Sequence, residues 1–164
     1  MKTKTIFFIL FLLTLLPASL INAQKPDLSG EWKLNKEKST ITDPQLFLSK
    51  IILQVKTDSL LTTRLYENGN GEEYPFEENL SLDGKDCKIV IFEMPRTSKA
   101  TCSANDGSIM IASATTFNNG NGPEDMTANE TWKMDNEGQF LTLTFTNKMS
   151  GNESTGTYYF EKAK

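Results

Sequence analysis

From Gly30 onward the chain is a succession of short runs rich in Ile, Val, Thr, Tyr and Phe, cut by clusters of Gly, Asn and Asp. Alternation of apolar and polar positions at period 2 suits a pleated strand with one buried face, and about ten such runs can be counted. They are Gly30 to Leu34, Ser49 to Thr57, Leu60 to Glu67, Tyr74 to Ser81, Cys87 to Met94, Thr97 to Ala104, Ser108 to Phe117, Thr127 to Met134, Gln139 to Asn147 and Ser154 to Lys162. The separators, such as Asn68-Gly69-Asn70-Gly71, Asp83-Gly84 and Asp106-Gly107, are turn chemistry, and the second half of the chain has no helical periodicity. Short connections imply neighbouring antiparallel strands. The pattern therefore predicts an all-β fold, an antiparallel up-and-down meander closing into a β-barrel of about 8 to 10 strands, because closure removes the exposed edges. An open sandwich is the alternative. Asn35 to Phe47 lacks the strand pattern, and Asp43-Pro44-Gln45-Leu46-Phe47 reads as a short helix with Asp43 as N-cap and Pro44 at the first helical position.

Some strands disclose their inner face. Leu141, Leu143 and Phe145 alternate with threonines, which assigns them inward, and a turn near Asp135 to Gly138 places Ala128, Glu130, Trp132 and Met134 on the same face. Glu130 is the odd member, a carboxylate among apolar neighbours. An unpaired charge there is expensive, so a partner is expected, and Arg64 is the candidate. Ile109, Ile111, Ser113, Thr115 and Phe117 share a second inner face with Ile89, Ile91 and the cysteines. That many hydroxyls on an inner face point to a hydrated or ligand-holding lumen.

Composition narrows the chemistry. The 164 residues include no histidine, which closes Ser-His-Asp and Cys-His catalysis, and two cysteines without histidine cannot supply a structural zinc site. No cofactor, no metal and no enzymatic activity are expected. The acidic cluster Glu72, Glu73, Glu77 and Glu78 lacks the spacing of a calcium loop and reads as a solvated edge. The net charge of −4 becomes −6 without residues 1–23, which carry Lys2 and Lys4, and the remaining basic residues are scattered. A nucleic-acid partner is therefore excluded from the expectations.

Residues 1–23 read as a signal peptide: Lys2 and Lys4, an apolar stretch from Ile6 to Leu16, and a polar small-residue end at Ile21-Asn22-Ala23. The apolar run is shorter than the roughly 20 residues of a membrane span, so no stable membrane insertion is expected. Cleavage before Gln24 would send residues 24–164, one barrel domain, to the periplasm or the medium. In that oxidising setting Cys87 and Cys102 read as a disulfide. A hairpin centred between Met94 and Pro95 sets them opposite each other, and moving the turn by one residue, which suits Pro95, makes them diagonal neighbours.

The start of this domain, Leu28-Ser29-Gly30-Glu31-Trp32-Lys33-Leu34-Asn35 followed by Lys36-Glu37-Lys38-Ser39, resembles the opening of lipocalin-like, calycin-type domains of exported bacterial proteins. Gly30-Glu31-Trp32 matches the G-x-W signature of the first barrel strand, and the resemblance implies that Trp32, with Gly30, closes the barrel base. Such domains commonly carry a basic residue near the end of the last strand that packs over this Trp, a place Lys162 could take here. The resemblance implies an exported binding protein. A small apolar or amphipathic ligand would be held in the lumen by Glu130, Trp132, Leu143, Phe145 and Arg64. The alternative is a protein-interaction or inhibitor module that acts through its loops and holds no lumen ligand.

Overall fold

The computed structural model describes residues 27–43, 46–118, 120, 122–135 and 137–163. The signal-peptide reading of residues 1–23 lies outside them. Ten strands follow one another: β1 (Gly30–Leu34), β2 (Leu46–Val55), β3 (Ser59–Asn68), β4 (Glu73–Ser81), β5 (Cys87–Ile91), β6 (Met94–Cys102), β7 (Ile109–Asn118), β8 (Pro123–Met134), β9 (Phe140–Met149) and β10 (Asn152–Lys162). All pair antiparallel in one sheet ordered β4-β3-β2-β1-β10-β9-β8-β7-β6-β5. The meander is thus a nearly closed barrel, in which the first and last strands lie side by side and β4 and β5 are the two sheet edges.

Among the described residues there is no helix. The expected helix near Asp43 is corrected: Leu46 and Phe47 open β2 and pair with Asn68 and Glu67, and Pro44 and Gln45 lie outside the described residues. A Pro-led cap signal carries little weight against ladder hydrogen bonds available from the neighbouring strand.

One end of the barrel, the base, receives the chain before β1 and the turns β2-β3, β6-β7 and β8-β9. Leu28, Trp32, Leu53, Leu80, Trp132 and Phe160 are fully buried there. Trp32 donates from Nε1 to the Leu28 carbonyl at 2.9 Å, and the Lys162 ammonium stands 5.4 Å from its ring centroid. The Lys162 contact joins first strand to last, since Trp32 lies opposite Lys162 of β10 on one side and Ile51 of β2 on the other. Gly30 has a local reason to be glycine: its φ is +136°, and a Cβ would come within 3.1 Å of the Lys162 stem.

At the seam between the sheet edges the base is tied by backbone bonds. Asp83 bridges to Thr101, and Gly84 N donates to the Ala100 carbonyl at 2.9 Å. Higher up no backbone ladder joins β4 to β5.

The β5-β6 hairpin overturns the disulfide expectation. Its turn is Phe92-Glu93, with Ile91 paired to Met94, so Cys87 faces Ser98 and both cysteines are free thiols. Cys102 pairs with Ile109, four residues further along β6, which is about 13 Å at strand rise and beyond the reach of a disulfide. Neither expected turn forms, the one centred between Met94 and Pro95 or the one moved by a residue to suit Pro95. The chain instead puts Pro95 opposite Val90, one position before β6 begins its ladder to β7 at Arg96. There the missing N–H costs the second ladder nothing. Burial holds the Cys87 thiol above its ordinary pKa, with the Glu78 carboxylate adding to the effect.

Candidate functional site

Above the base, the inward positions change character. On β3 the inner face runs Leu60, Thr62, Arg64, Tyr66; on β4 it runs Phe76, Glu78, Leu80; on β6 it runs Arg96, Ser98, Ala100. The strand period thus delivers two guanidinium groups and two carboxylates into the barrel interior, Glu130 arriving from β8. Arg64 Nη1 donates to Glu130 Oε1 at 2.7 Å, and the Trp132 indole N–H donates to Glu130 Oε2 at 2.8 Å. Glu78 Oε1 accepts from Arg96 Nε at 2.9 Å and from the Ser98 hydroxyl at 2.6 Å. Arg96 Nη1 also donates to Thr115 Oγ1 at 3.1 Å. Arg64 Nη2 and Glu78 Oε2 stand 3.5 Å apart, an ion pair without a hydrogen bond.

The four charges form one connected network, Arg96 to Glu78 to Arg64 to Glu130. Aromatic faces wall it: the Arg64 guanidinium carbon lies 5.0 Å from the Trp132 ring centroid and 5.4 Å from that of Phe76, and Arg96 lies 5.7 Å from Phe76. Burial pulls the Arg64 guanidinium toward neutrality, but the Glu130 carboxylate, with Glu78 beyond it, outweighs this and raises its pKa. Burial likewise opposes the Glu78 carboxylate, yet Arg64 and Arg96 win and hold its pKa below the usual value. The network crosses the open part of the seam, because Glu78 belongs to edge strand β4 while Arg96 and Ser98 belong to β6. Side chains close the barrel here where backbone bonds do so at the base. An edge-on contact between Tyr74 and Phe92, centroids 6.5 Å apart, continues this closure at the rim.

Two cavities lie above and beside the network. The larger, of about 450 Å³, opens at the mouth and is lined by Tyr74, Phe76, Phe92, Met94 and Phe117 among others. The inner one, of about 190 Å³, is walled by Arg64, Glu130, Leu143, Phe145, Asn147 and Tyr158 among others. They adjoin, since Leu46, Tyr66, Arg96 and Met126 line both. Burial pushes the Tyr158 phenol up to about 12 and raises that of Tyr66, so both hydroxyls stay protonated.

Of the residues the sequence nominated, Arg64, Glu130, Leu143 and Phe145 meet at the inner cavity. Trp132 lines neither cavity; it lies beneath, buried, holding Glu130 and stacked on Arg64. Glu78 corrects the solvated-edge reading of the acidic cluster, being 2% exposed and bonded within the lumen. The alternation Phe76, Glu78, Leu80, Leu82 carried that signal, since three apolar residues at period 2 fix the phase of the fourth position. Arg96 joins the site beyond the residues nominated from sequence, and its signal is the inner phase it shares with Ser98, Ala100 and Cys102.

Among the described residues no group of three His, Cys, Asp or Glu side chains is arranged to hold a metal ion, and no helix is long and apolar enough to cross a membrane. No protein-family model matches the chain, and a search of curated proteins finds no match.

Proposed function

We propose that the protein is an exported lipocalin-like binding barrel that carries a small apolar or amphipathic molecule in its upper lumen, and that its role is binding rather than catalysis. The observation that carries this reading is the mouth cavity of about 450 Å³, within the size range of small-molecule sites and lined mainly by aromatic and aliphatic side chains. Its junction with a polar inner cavity supports an amphipathic occupant, with the apolar body at the mouth and the polar end beneath. The G-x-W start, with Trp32 buried at the base beside Lys162, supports the lipocalin-like assignment.

The test is direct. The neutral fluorophore N-phenyl-1-naphthylamine should bind with enhanced emission, and Met126→Trp, which fills space common to both cavities, should abolish the enhancement. Absence of binding by the wild-type protein, together with no co-purified mass in native mass spectrometry of host-derived material, would remove the carriage reading. Export is tested separately: the N-terminus of the mature protein should be Gln24 or within a few residues of it.

A second reading rests on a different observation. Val90 and Phe92, at the free edge strand β5 and its turn, are 69% and 55% exposed. An unpaired edge with apolar side chains suits strand addition by a partner protein. Val90→Lys should leave fluorophore binding unchanged and would disrupt only that interaction.

A further inference from the structure

We infer that the ligand's polar end is an uncharged oxygen-bearing group, such as an alcohol, ketone or ester, seated in the inner cavity against Arg64, Tyr66 and Tyr158. This rests on the carriage reading and specifies its ligand class. The first observation is the charge balance. Arg64 and Arg96 are compensated by Glu78 and Glu130, each carboxylate within 3.5 Å of a guanidinium nitrogen. A carboxylate or ammonium entering beside this network would leave one charge uncompensated among buried groups. Proteins avoid that arrangement by neutralising the group.

The second observation is the unused hydrogen-bonding capacity. Arg64 is 1% exposed and lines the inner cavity, yet its Nε has no hydrogen-bond acceptor and its Nη2 has only the ion pair to Glu78 Oε2 at 3.5 Å. Tyr66 and Tyr158 line the same cavity, with the Tyr66 phenol beside Arg64 and the Tyr158 phenol beside Thr42. Unpaired buried donors call for an acceptor, and an uncharged oxygen supplies one without disturbing the charge balance. The mouth side, where Phe76, Phe92, Met94 and Phe117 converge, takes the apolar remainder.

Competition against bound N-phenyl-1-naphthylamine with decanol, decanoate and decyltrimethylammonium tests the inference at about pH 7, where the acid is ionised. Decanol should displace the fluorophore at a concentration at least roughly tenfold below either charged probe. Glu130→Gln, which leaves the network with one surplus positive charge, should then bring decanoate to within about threefold of decanol. A merely apolar cavity predicts no such change of order. Proton uptake measured by calorimetry in two buffers decides the matter even for the wild type alone. Decanoate should bind with close to one proton taken up, because only its neutral acid form is accepted. Decanoate binding without proton uptake, or displacement by decanoate as good as by decanol, would overturn the inference and leave carriage standing. Failure of the fluorophore and of all three decyl probes to bind would overturn both.

Discussion

The base and the mouth of this barrel are built from the same ten strands at the same period, yet they are closed by different means. At the base, Trp32, Trp132, Leu28 and Phe160 fill the lumen, and the seam is tied by the Asp83 to Thr101 bridge and by the backbone donor of Gly84. Toward the mouth the lumen holds four charges and open space, and the seam is held by Glu78 with Arg96 and Ser98 and by Tyr74 against Phe92. The difference teaches that one strand framework admits two kinds of closure, apolar packing below and paired charges above. Apolar packing at the base secures the fold, while side-chain closure leaves the mouth a surface that can meet a ligand.

Breaking the base should give the largest effect. Trp32→Ala removes a fully buried indole, its bond to the Leu28 carbonyl and the contact beneath Lys162. A loss of about 3 to 5 kcal/mol in urea-induced unfolding is expected. Fluorophore affinity of the remaining folded protein should change little, because the indole lies away from both cavities. A large loss of affinity would mean that base and mouth are not separable.

The network comes next. Arg64→Met leaves Glu130 with only the Trp132 indole and Glu78 with only Arg96 and Ser98, and about 3 kcal/mol of stability should be lost, at the lower end for a broken buried pair. Adding Glu130→Gln to Arg64→Met removes the stranded carboxylate, so the double variant should recover a measurable part of that loss. No recovery would show that aromatic stacking on Arg64, rather than charge pairing, dominates.

Glu78 gives a pH signature with a definite sign. Its folded-state pKa lies below the unfolded value, so it stabilises the fold above about pH 4.3, and this contribution is lost as pH falls through the lower folded value. Glu78→Gln should cost about 2 kcal/mol near neutrality, the scale of hydrogen bonds to a charged group. Denaturation curves of the two proteins should converge on acidification below about pH 4. A gap that stays constant with pH would mean that the carboxylate is not held charged by its arginines.

The same contrast explains what the sequence made legible. At β8 and β9, Trp132, Met134, Leu141, Leu143 and Phe145 alternate with polar residues so regularly that the inner face follows from spacing alone, and Glu130 is exposed as the exception. In β4 the adjacent carboxylates Glu77 and Glu78 look alike as a charge cluster, but they point to opposite faces, one exposed and one buried. Composition carries no phase, and it is the period set by Phe76 and Leu80 that separates the buried Glu78 from its exposed neighbour. The disulfide failed for a related reason. Parity put both cysteines on one face, which holds, but the distance between them depends on the turn position, and residue preference at Pro95 pointed to the wrong turn.

That turn supplies the last and smallest effect. Phe92 and Glu93 occupy a two-residue hairpin with φ of +47° and +67°, the left-handed region that Asn-Gly fills in turns of this kind. A phenylalanine there costs about 1 to 2 kcal/mol relative to a residue that adopts the region freely. Phe92 is also 55% exposed, so burial does not repay the strain, but it lines the mouth cavity and meets Tyr74 across the open seam. Strain retained without a packing return is expected where a side chain serves a site. Replacing the pair by Phe92→Asn with Glu93→Gly should therefore raise stability by about 1 kcal/mol in urea unfolding. The same change should weaken N-phenyl-1-naphthylamine binding several-fold by removing one aromatic wall. Gain of stability with unchanged binding would assign the strained tip to the β5 edge and its partner rather than to the cavity. Loss of stability would show that the contact between Phe92 and Tyr74 is itself part of barrel closure.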